Sequence, residues 1–120
     1  ETLAAVVASA QHAAATDPAV REVLAIVAEE ESRHAELAFR VVAWAVSLGG
    51  DEVRSAVHGA FLEALGAARH AAEEAQHEAP PSALVRAHGR LSTAEVLAER
   101  LRAAEEVVVP GMMHLLGAPA

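Results

Sequence analysis

Val27-Ala-Glu-Glu-Glu-Ser-Arg-His-Ala-Glu-Leu-Ala-Phe-Arg-Val-Val-Ala-Trp44 is the stretch on which the reading of this chain turns, because it carries Glu31-x-x-His34 within a helix-forming run. With about 100° of turn per residue, Val23, Val27, Ala38, Val41 and Ala45 fall within about 40° of His34. That clustering predicts that His34 lies mid-stripe on the buried face. Glu30 and Glu31 flank it at about 40° and 60°, while Glu29, Ser32, Glu36 and Arg40 point away. Carboxylates aimed among apolar neighbours require pairing, hydrogen bonds or a cation. The metal-free alternative is a run of solvated charges with His34 as a satisfied core histidine.

Outward from this stretch the pattern is helical throughout. Thr2 to about Ala15 forms a first helix. Thr16-Asp17-Pro18 breaks it, with Asp17 placed to cap the next helix and Pro18 at its first position, where a missing N–H costs nothing. The second helix runs from Pro18 to about Leu48, where Gly49-Gly50 ends it. Asp51 then caps a third helix to about Gln76, with Val53, Val57, Ala60, Phe61, Ala64 and Ala68 on one face. Glu78 to Leu91 reads as loop. Ser92-Thr-Ala-Glu95 is a capping box that opens a fourth helix, striped by Leu97, Leu101, Ala104 and Val108 and expected to stop at Val109-Pro110-Gly111. Met112 to Leu116 adds at most one further turn. The expected architecture is all-α, an antiparallel hairpin over 1–48 followed by two further helices, and the whole chain 1–120 reads as a single helical domain.

Composition narrows the functions. The 120 residues are 53% hydrophobic but only 2% aromatic, so much of the core must be alanine and the helices must approach closely. Such thin burial favours an oligomer or a larger parent chain. Seventeen acidic against nine basic residues give a net charge of −8, which argues against nucleic acid and anionic membrane as partners. The absence of cysteine excludes thiolate metal sites and thiol catalysis. No uncharged apolar run is long enough to span a bilayer, and no signal-peptide pattern is present. A cytoplasmic location is therefore expected, with an upstream targeting segment left open.

Glu1 gives the Glu-x-x-His motif its weight. It lies 15 residues before the Thr16-Asp17 break and Glu31 lies 14 after Asp17, so at about 1.5 Å of rise per residue both stand roughly 20 Å from the same turn. In an antiparallel hairpin they are level. Residues i and i+3 share a helix face, so Glu31 and His34 can hold one ion together while Glu1 reaches it from the neighbouring helix.

This arrangement resembles the ferritin-like di-iron carboxylate proteins, in which two helices of a four-helix bundle give one Glu each and two give Glu-x-x-His each. Residues 1–48 look like the third and fourth helices of such a bundle. The resemblance implies Glu1, Glu31 and His34 as metal ligands, with Glu30 as a substitute oxygen donor. It implies iron or manganese as cofactor, and iron oxidation or storage, or oxygen or peroxide chemistry, as activity. A ferroxidase-like oxidoreductase is expected only where the di-metal site is complete, because this chain carries half of the ligand set. The other half is expected either from N-terminal helices, this chain then being the C-terminal part of a larger ferritin-like domain, or from a second copy in a homodimer.

The remaining candidates carry less. Glu74-Ala-Gln-His77 repeats the spacing but points away from the apolar face of its helix. His12, His58, His70, His88 and His114 are scattered singly and are not expected as ligands. Trp44 reads as edge packing. The alternative function is a metal-free helical interaction or structural module, in which Glu31 and His34 form a polar pair that fixes register.

Overall fold

The computed structural model describes residues 1–75 and 79–117. Among them every regular element is helical: α1 (Thr2–Ala14), α2 (Pro18–Glu74), α3 (Ala83–Ala87), α4 (Thr93–Ala103), a π-helical turn (Ala104–Val108) and α5 (Val109–Leu116). The predicted second and third helices are joined without a loop, and Gly50, with φ 61° and ψ −152°, is the non-helical residue between them. A straight helix of 57 residues would measure about 86 Å, yet the longest dimension of the molecule is 51 Å. The chain therefore folds back at Gly50, leaving a first arm (18–49) and a second arm (51–74). Phe39 and Val42 of the first arm and Val57 and Phe61 of the second line one apolar cavity of about 380 Å³.

The turn from α1 into α2 is tied in three ways. Asp17 accepts a hydrogen bond from the Val20 N–H at 3.0 Å, and Pro18 occupies the first turn of α2. The Thr16 and Asp17 N–H groups both donate to the Ala87 carbonyl, at 2.8 and 3.2 Å. Arg21 bridges the carbonyls of His12 and Ala15. These bonds satisfy the helix-end donors and acceptors. They also fix the relative height of α1 and the first arm.

Two departures from the sequence reading lie in the second half. The stretch 78–91, expected as loop, contains α3, whose first turn is capped by Ser82 accepting from the Val85 N–H. The helix expected to stop at Val109-Pro110-Gly111 continues to Leu116. A proline in an unbroken α-helix would clash with the carbonyl four residues back. Here the turn before it is widened, with the Val109 N–H reaching back to the Ala104 carbonyl, and Pro110 falls in the first turn of α5. Gly111 lets that backbone lie on the Phe39 ring, since a Cβ there would stand 2.7 Å from Phe39 Cε1. Arg54 donates to the Leu116 carbonyl at the end of α5, and Arg69 pairs with Glu105 at 3.0 Å. The run 93–116 thus packs along the second arm in the opposite direction.

The capping box at Ser92 is present in full: Ser92 accepts from the Glu95 N–H, and Glu95 accepts from the Ser92 N–H. Glu95 also binds the Arg86 guanidinium. The bond from the Ser92 backbone, and then Arg86, hold the Glu95 carboxyl below its ordinary value. The core itself is slight. Among the described residues its buried apolar members are Ala5, Ala8, Ala15, Ala35, Val46, Leu91, Ala103, Ala104 and Met112, and none of their large side chains is fully enclosed.

Candidate metal centre

Glu1 stands at the N-cap of α1, where its side chain makes no capping hydrogen bond and is free to turn elsewhere. It turns toward α2. Glu1 Oε2 lies 3.7 Å from His34 Nδ1, and Glu31 Oε2 lies 4.0 Å from the same nitrogen. One donor atom from each of the three residues falls within 4.8 Å of the other two. The antiparallel packing of α1 on the first arm, set by the turn at Thr16-Asp17, brings together residues thirty-odd positions apart in the chain. Glu30 lies outside this cluster.

The environment of the cluster differs from the sequence expectation. The His34 side chain is 60% exposed, Glu1 51% and Glu31 30%. The face of the first arm that packs inward carries Leu24, Ala28, Ala35, Val42 and Val46, with Ala35 and Val46 buried. These lie about 80° to 120° around the helix from His34. The stripe read as buried is the open one: Val23 is 59% exposed and Val41 53%. Trp44 at 64% is likewise open and does not pack at an edge. Both faces are apolar, so periodicity alone could not rank them. The face with the small side chains of Ala28 and Ala35 is the one that is covered. The cost of buried charge therefore does not arise, because water reaches all three donors.

The donor set fits a transition metal. Around an ion with bonds of about 2.1 Å, donors at right angles stand about 3.0 Å apart and opposite donors about 4.2 Å. Closing the observed spacing asks each exposed side chain to move by less than about 1 Å. Two carboxylates and an imidazole suit iron or manganese better than a tetrahedral zinc site. Glu1 also borders the apolar cavity that Phe39, Phe61 and Met112 line.

The other candidates stand apart. His70 pairs with Glu74 at 3.6 Å, and both are more than 70% exposed. His77 lies outside the described residues. His88 Nδ1 contacts the Leu84 carbonyl at 2.9 Å within α3. No described helix is long and apolar enough to cross a membrane. No family model matches the chain, and neither a curated protein nor a solved structure matches it.

Proposed function

We propose that this chain binds iron or manganese through Glu1, Glu31 and His34, supplying half of a carboxylate-rich di-metal centre of the ferritin-like kind. The observation that carries this reading is the convergence of three donors from two helices to within 4.8 Å. A bound pair of such ions supplies redox chemistry toward iron(II), oxygen or peroxide. The chain's own contribution is positional. Glu31 and His34 share a helix face, Glu1 meets them from α1, and the turn at Asp17 holds the two helices level. The second half of the ligand set comes from another helix pair, in a homodimer or in the same polypeptide.

A metal-free helical module is the second reading, and the exposure of His34 and Glu1 favours it, since solvated side chains need no ion to offset their charge. Metal titration decides between the two. An ion that binds only the folded chain at a hundred times its Kd adds about 2.7 kcal/mol of stability. Manganese(II), or iron(II) without oxygen, should raise Tm, and Glu31→Ala and His34→Ala should each abolish the rise while leaving the circular dichroism unchanged. A Tm indifferent to both ions would leave the interaction module.

A further inference from the structure

We infer that the open face of the first arm is covered by a second copy of this chain, packed antiparallel about a two-fold axis that passes beside His34. The face is long and apolar. Val23, Ile26, Val27, Leu37, Val41 and Trp44 are each at least 37% exposed, and Leu48 is 70% exposed. With about 100° of turn per residue they form one stripe, and His34 and Glu30 lie within it. An exposed apolar stripe of this length, interrupted midway by Glu30 and His34, marks an association surface.

The occupant follows from three levels of the stripe that match in both directions from His34. Seven residues to either side stand Val27 and Val41, eleven to either side Val23 and Ala45, and fourteen to either side Val20 and Leu48. Under a two-fold axis these three levels therefore set apolar side chains against apolar ones, as an isologous interface requires, while Leu37 comes level with Glu31 of the partner subunit.

The area agrees. A compact monomer of 12.4 kDa exposes about 6,100 Å², whereas this chain exposes 7662 Å². The excess of about 1,500 Å², summed over the whole chain, leaves room for the roughly 800 Å² per partner that a standard interface buries. The same axis brings Glu1, Glu31 and His34 opposite Glu1, Glu31 and His34 of the partner subunit. That completion of the centre rests on the metal-binding reading above, but the docking of the stripe does not. Without an ion the facing carboxylates oppose association, so metal should tighten the dimer.

Sedimentation of the full chain over a concentration series, with and without manganese(II), tests the inference. The expected species has twice the chain mass, at lower concentration when manganese is present. Val41→Glu changes an exposed side chain in the monomer but buries two charges per dimer. It should weaken association by at least about 100-fold in Kd with helicity unchanged. A monomer at every concentration overturns the docking, and the metal reading then stands or falls separately on the Tm shift. A dimer indifferent to Val41→Glu overturns this face.

Discussion

Replacing Gly50 with alanine asks whether the reversal of α2 is built as described. Its φ of 61° with ψ −152° belongs to a region that side chains adopt at a cost of about 1–3 kcal/mol. A Cβ at this position meets nothing within 4 Å, so backbone strain is the whole penalty. At about 4 °C per kcal/mol for a domain of this size, Gly50→Ala should lower Tm by about 4–12 °C. Gly59 and Gly66 of the second arm provide the control. They too have open space around a built Cβ, and neither has a positive φ. Alanine at either should stabilise the helix by about 0.5–1 kcal/mol and raise Tm by about 2–4 °C. Thermal melts of the three variants read these opposite signs, and small-angle scattering reads any straightening beyond the 51 Å length. A Gly50→Ala protein as stable as Gly59→Ala would refute the hinge.

Two further outcomes follow from the second half of the chain. Glu95 is held below its ordinary value of 4.5 by the Ser92 amide and Arg86, so its ionised form favours the folded state. That contribution is complete above about 4.5 and is lost as pH falls through the depressed value. Urea midpoints measured into acid should fall less steeply for Glu95→Gln than for the parent chain. Met112 is 8% exposed and borders the apolar cavity, so Met112→Ala should cost about 2 kcal/mol, near the low end for such truncations because part of its surface already lacks neighbours. A loss below about 0.5 kcal/mol in denaturant unfolding would show that α5 is not docked.

Much of the scaffold could be read from local chemistry. Asp17 with Pro18, Gly49 with Gly50, and Ser92 with Glu95 each mark a boundary through a bond or backbone angle that one or two residues determine, and those boundaries are found where the residues place them. Position along the rod was equally legible, because counting residues from the turn needs only a constant rise, and Glu1 meets Glu31 and His34. Rotation was not. The first arm carries two apolar faces, and the choice between them depends on which one the neighbouring helices cover; the face with Ala28 and Ala35 is the covered one, and Ala5 and Ala8 of α1 are buried as well. Pro110 misled for a related reason. A proline forbids an ordinary continuation, but a turn widened by one residue accommodates it, and that widening has no simple residue signature.

The carbonyl of Ala87, holding the amides of Thr16 and Asp17, has a consequence beyond local tidiness. It lets a peptide group far along the sequence calibrate the gap between two rods, in the manner of a stop on a sliding rule. One residue inserted at that junction would raise the first acid by about 1.5 Å and swing it by about 100° away from its counterparts. Drift in the outer loops is then tolerable to the cluster, whereas drift in this two-residue link is not.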